Sequence, residues 1–196
     1  MNISESWPTL VSIILGLAVA ELLLNLYRLI DARKRVNWDP LPLLWAVIVL
    51  LWLFNHWWAV ATNLDRSQNA RVVGNFVLLA IDPIILFLMA ASVLPRVPAA
   101  EGRFDMRADW TERRSVFLTL FAVHQSVVWV SVAILRPSTS WDFASFVRTV
   151  ALLLMLVLLF FKARRLEWIA ALTIFALIVS TPFRATRSLN RRPNAT

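Results

Sequence analysis

The sequence predicts an all-α membrane protein: a six-helix transmembrane bundle with short connectors, no soluble domain, and one domain spanning residues 1–196. Three observations carry this. Of the 196 residues, 59% are hydrophobic and only 16% are charged, against roughly 45–50% and 25% in soluble domains. The mean hydropathy is +0.67. The apolar residues also come in long runs between charge-rich connectors, and a run of about 20 residues crosses ~30 Å of hydrocarbon as a helix. The bilayer favours helices here, because open strands would leave backbone groups unpaired in lipid.

Six runs follow in order. The first, residues 7–30, comes after the cap candidates Ser4 and Ser6. The second covers 41–63 and starts at DPLPLLW, where Asp39 can cap and Pro40 suits the first helical position. The third, 72–94, contains Asp82-Pro83. The fourth, 110–135, opens at DWTERR, where Asp109 and Glu112 have capping-box spacing. The fifth is 143–161, with VALLLMLVLLFF apolar on every side and expected to face lipid or a subunit contact. The sixth is 166–183, followed by a basic tail, 184–196.

Charge sets the expected orientation. The first, third and fifth connectors hold Arg28, Arg33, Lys34 and Arg35, then Arg96, Arg103, Arg107, Arg113 and Arg114, then Lys162, Arg164 and Arg165. The second and fourth hold only Arg66 and Arg71, and Arg136 and Arg148. Lys and Arg collect on the cytoplasmic side, so the N-terminus is expected outside, in a bacterial inner membrane. The tail arginines Arg184, Arg187, Arg191 and Arg192 oppose this unless the sixth run is re-entrant. The start, MNISESWP, has an acidic residue where a signal peptide needs a basic one, so the first run is expected to be retained. The net charge of +8 suits anionic lipid headgroups. With no cysteine, disulfides and thiolate chemistry are excluded.

Ionisable residues inside spans are costly and by default face the bundle interior. Four lie well inside: Glu21, His56, Asp82 and His124. Helical spacing puts Leu17, Glu21, Asn25 and Arg28 on one stripe, and Trp45, Val49, Trp52, His56, Ala59 and Asn63 on another. Asn75, Leu79, Asp82, Leu86 and Met89 form a third. Phe117, Leu120, His124, Val128 and Ser131 form a fourth, with Gln125 beside them. With inner ends taken at Ile30, Ser115, Leu94 and Leu41 and a rise of ~1.5 Å per residue, Glu21 and His124 each lie about 14 Å above the inner boundary, Asp82 about 18 Å and His56 about 22 Å. The arithmetic suggests an inner pair, Glu21–His124, and an outer pair, His56–Asp82. Each residue also has a plainer role: an ion pair with Arg28 for Glu21, a proline kink for Asp82, interhelical glue for His56. Four such groups on four helices of one short chain argue for more.

Trp7, Trp38, Trp110, Trp141 and Trp168 fall at span ends, as an interfacial belt does. Trp52 shares the His56 face. No GxSxG, HExxH, Walker A or GxGxxG occurs, so no enzyme class is indicated, and nothing resembles a nucleic-acid module. The leading expectation is a channel or transporter-like protein moving protons or a small cation. Its stations would be Glu21, His56, Asp82 and His124, with Asn25, Asn75 and Gln125 as neutral ligands. Six helices leave little room for a pore in one protomer, so a homo-oligomer is expected. One alternative is a haem b redox protein with His56 and His124 as axial ligands. The other is a membrane anchor, sensor or assembly subunit with a cytoplasmic protein partner, its polar residues purely structural. The His56 ring is expected to face the bundle interior within reach of the Asp82 carboxyl, directly or through one water; the alternative is His56 bonded to a backbone carbonyl with Asp82 turned elsewhere.

Overall fold

A computed structural model describes residues 3–62, 73–96, 102–135 and 143–189, with side chains over 9–60, 80–96, 102–131 and 145–180. The fold is all-helical apart from one pair of two-residue strands. In chain order the elements are α1 (Ile3–Asp31), β1 (Val36–Asn37), α2 (Pro40–Thr62), α3 (Val73–Val93), β2 (Phe104–Asp105), α4 (Met106–Leu135), α5 (Phe143–Phe160) and α6 (Arg164–Leu189). The helices form a ring: α1 packs on α3, α3 on α4, α4 on α5, α5 on α6, α6 on α2 and α2 back on α1. A further contact between α2 and α3 crosses it. The core runs through Val11, Leu15, Trp45, Ile48, Leu86, Met89, Phe117, Phe121, Met155 and Ile174.

Contacts at one end show that successive helices alternate in direction. Arg164 at the start of α6 meets Asp39 at the start of α2, and Arg114 near the start of α4 reaches carbonyls at the end of α5. The parallel strands β1 and β2, with Val36 opposite Phe104, tie the chain after α1 to the chain before α4. We call this the basic end. The α2 start follows its sequence signal: Asp39 Oδ1 accepts the Leu41 N–H at 3.1 Å, with Pro40 first in the helix.

The α4 start differs from expectation. Asp105 is the cap, its Oδ1 accepting the N–H groups of Arg107 at 2.9 Å and Ala108 at 3.3 Å. The expected Asp109–Glu112 capping box is replaced by an Asp109–Arg113 ion pair inside the first turns, 3.3 Å apart. Helix α4 therefore begins four residues before the expected span. Helix α6 is continuous to Leu189, beyond the expected end at 183. Helix α5 is not apolar surface all round, since Ala151, Met155 and Leu158 are buried while Leu153, Val157 and Phe160 are exposed. On α1 the inward stripe is Val11, Leu15, Ala18, Leu22, Asn25 and Leu29, and Leu17, expected to face inward, is exposed.

Among the described residues, two helical segments are long and apolar enough to cross a membrane, Thr9–Asp31 and Pro40–Val60. Ala80–Val93 and Ser145–Phe160 are shorter apolar helices. Residues 63–72 and 136–142, with Asn63, Arg66, Arg71, Arg136 and Trp141, lie outside the described residues, as do the side chains of Trp7, Asn75 and the tail.

Candidate functional site

Three helices converge on one carboxylate. Asp82 projects from α3 ahead of Pro83, and its side chain is buried between α2 and α4. Asp82 Oδ1 lies 2.6 Å from His124 Nδ1, and Oδ2 lies 3.3 Å from His56 Nδ1. The two imidazoles stand edge to face, their centroids 6.5 Å apart. The expected His56–Asp82 contact is present, and His124 joins it from the far side.

The fourth member fixes the protons. Trp52, one turn before His56 on α2, donates its indole N–H to His124 Nε2 at 2.9 Å. An indole nitrogen only donates, so His124 Nε2 carries a lone pair and the ring proton is on Nδ1, directed at Asp82. In this arrangement His124 is neutral. Protonating Nε2 would break the Trp52 bond, while the Nδ1 of His56 faces the other oxygen of Asp82. Phe121 braces the indole edge to face at 5.3 Å. Arg148, on α5, is near enough for its charge to act on both His56 and Asp82. The sequence reading counted it only as a connector charge.

The other expected site residues lie elsewhere. Glu21 does not pair with His124. It accepts from Asn25 at 3.2 Å and from Arg96 at 3.1 Å, and Arg28 donates to Asn25 at 3.3 Å. Arg96 lies just beyond α3, so Glu21 is within an arginine's reach of the basic end and the inner Glu21–His124 pair is replaced by a separate network between α1 and α3. Helix α4 starts at Met106, nine residues before the Ser115 end used for counting, so His124 lies about 27 Å up it, close to the height of about 24 Å for His56 above Pro40. Gln125 is fully buried next to His124, and neither amide atom has a hydrogen-bond partner among the described residues; the same holds for Trp45 Nε1. Asn75 lies on α3, its side chain outside the described residues.

Sequence reasoning missed a second buried cluster at the basic end. Glu167, on α6, accepts from Arg114 at 2.8 Å and from the Trp110 indole at 3.0 Å. Arg114 also donates to the carbonyls of Leu158 and Phe161, closing the end of α5. Trp110, expected in an interfacial belt, is instead buried here. The signal available was Trp110 and Arg114 on one face of α4, with Glu167 in the first turn of the sixth run. Both Glu167 oxygens, the Trp110 indole N–H and two of the Arg114 nitrogens are engaged here, which suits a structural clamp.

The donor set does not suit haem as arranged. His124 has both nitrogens engaged, by Asp82 and Trp52, and both Nδ1 atoms address one carboxylate lying between them. Axial ligation by His124 would require breaking one of these bonds. The arrangement can instead hold and redistribute a proton between an imidazole and a carboxylate, shielded from bulk water. Comparisons with protein-family models, curated proteins and solved structures give no match to this chain.

Proposed function

We propose that this chain is an integral membrane protein whose six helices cross the bilayer, and that it passes protons, alone or with a small cation, through the His56–Asp82–His124 cluster. The membrane part rests on an inverted distribution of polarity. Large apolar side chains cover the outside of every helix, among them Ile13, Phe54, Leu88, Val123, Leu153 and Ile169, while Asn25, Asp82, His124 and Gln125 are buried. A soluble monomer rarely exposes so extensive an apolar surface. The basic end would lie in the cytoplasm, with the N-terminus outside.

The observation that carries the functional part is the Asp82 carboxylate shared by two imidazoles from different helices, one of them fixed in a neutral tautomer by Trp52. Intramembrane carboxylates and histidines mark proton relays, and an imidazole can both accept and donate a proton through its two ring nitrogens. His56 is the acceptor, Asp82 the counter-charge and His124 the fixed donor that orients Asp82. The test is dissipation of a pH gradient in proteoliposomes. Wild type is expected to conduct, and Asp82→Asn and His56→Gln to fold with unchanged helicity but conduct at least tenfold less. Silent wild type, or full activity in both variants, would overturn the proposal.

A second reading draws on the saturation of His124, which is 1% exposed with both nitrogens bonded. Such a residue also suits glue between helices in an anchor or assembly subunit. In that case loss of function in these variants would track loss of folded protein.

A further inference from the structure

The turn that follows α1 is built as a cationic cleft. An open cleft of about 470 Å³ is lined by Tyr27, Ile30, Asp31, Arg33, Lys34 and Arg35 among others, a volume in the range of small-ligand sites. Its two walls differ in chemistry. Tyr27 (64% exposed) and Ile30 (46%) present apolar surface on the outer face of α1. Beyond them Asp31 is followed by the exposed cations Arg33 and Lys34, with Arg35 next in the lining. The turn is held at both ends, with Arg33 N–H donating to Ile30 at 3.2 Å, Arg35 N–H to Ala32 at 3.0 Å, and Phe104 N–H to the Arg35 carbonyl at 2.8 Å. The strand pair continues this anchorage through Val36 and Phe104. The cations are thus presented by a fixed backbone.

We propose that this cleft binds the phosphate headgroup of an anionic lipid, the first part of an acyl chain lying along Tyr27 and Ile30. The proposal rests on the membrane reading above, since it needs the outer face of α1 in the bilayer. A headgroup matches both walls at once: a phosphate at the level of Arg33 and Lys34, and hydrocarbon one helical turn deeper. Free phosphate would use only the cationic part. Trp38, exposed just beyond the turn, fits the same interfacial level.

The experiment is retention of phosphatidylglycerol against phosphatidylcholine, read by native mass spectrometry of protein released from nanodiscs of equimolar composition. Wild type is expected to retain phosphatidylglycerol preferentially. Arg33→Gln with Lys34→Gln, both exposed positions, should lower its retention roughly ten- to thirtyfold, from the attraction lost per basic residue near an anionic surface. The matched loss of two charges at the same end, Lys162→Gln with Arg165→Gln, should change it less than twofold. Tyr27→Ala should weaken lipid retention, and millimolar inorganic phosphate should fail to displace the lipid. Equal effects of the two charge-loss pairs would overturn the local site in favour of diffuse attraction, as would no headgroup preference. Displacement by phosphate alone would overturn the lipid assignment. Failure to enter nanodiscs at all would overturn the membrane reading and this proposal with it, whereas insertion without preference would overturn only the latter.

Discussion

The Nδ1 of His124 lies 2.6 Å from Oδ1 of Asp82, closer than the 3.3 Å separating His56 from the other carboxylate oxygen. The bond to His124 is the fixed half of the site and the contact with His56 the looser half. Trp52 occupies the far nitrogen of His124 at 2.9 Å, whereas the far nitrogen of His56 has no such bond among the described residues. Trp52→Phe removes that donor and frees Nε2 to take a proton. The variant is expected to lose about 1–3 kcal/mol of stability, from one buried hydrogen bond and some packing. Two histidines should then titrate instead of one, which pH-dependent spectra of histidine-labelled protein would register. Unchanged titration would remove Trp52 from the account.

The Arg114–Glu167–Trp110 clamp should be the more costly cluster to break. Glu167→Gln leaves a buried guanidinium without its counter-charge, a change worth about 3–5 kcal/mol. Thermal unfolding in detergent measures it, and a loss below about 1 kcal/mol would show that the pair is hydrated. Because the clamp joins α4, α5 and α6 and does not touch the histidines, activity per folded molecule should be unaffected.

Much of the site was legible because α2 and α3 are sequential antiparallel neighbours and the heights of His56 and Asp82 could be compared by counting residues. Counting from Ser115 pairs His124 with the wrong carboxylate, because its height depends on where α4 begins. Asp105 and the β1–β2 pairing move that point back to Met106, and neither shows in the hydrophobic pattern. Glu21 was misplaced for a related reason. Its partner Arg96 belongs to a connector, and periodicity says nothing about where a connector side chain reaches. The Glu21 spacing places Leu17 on the inner stripe although it is exposed, because α1 is apolar on most sides and that spacing alone does not fix the buried face.

Asp109 gives a pH signature outside the apolar spans. Burial pushes its carboxyl above the ordinary value of 3.8, outweighing the pull of Arg113. The folded-state pKa is thus above the unfolded one, so ionisation favours the unfolded chain. The group's contribution to stability is complete below the unfolded value and is lost as pH rises through the folded value. Asp109→Asn removes this dependence. Stability of the variant relative to wild type should therefore shift in the variant's favour as pH rises from about 4 toward 7, measured by thermal unfolding at each pH. A shift in the other direction would mean that the Arg113 pair dominates.

Gln125 carries a different expectation. A buried amide with no partner among the described residues costs the fold about 1–3 kcal/mol, so Gln125→Leu, similar in volume, should leave the melting temperature unchanged or raise it. A fall of several degrees would show that the amide is bonded in the folded protein.

The central claim is that the cluster takes its proton at His56 while His124 stays neutral with its proton on Nδ1. The chain contains only two histidines, so ¹⁵N-histidine labelling gives two imidazoles to resolve, and His56→Gln assigns them. Solid-state ¹⁵N spectra of the protein in lipid bilayers, recorded across pH, measure both rings directly. The account predicts one ring held as the neutral Nδ1–H form and a second ring, absent in His56→Gln, that becomes doubly protonated as pH falls. A charged His124, or a neutral His124 with its proton on Nε2, would contradict it.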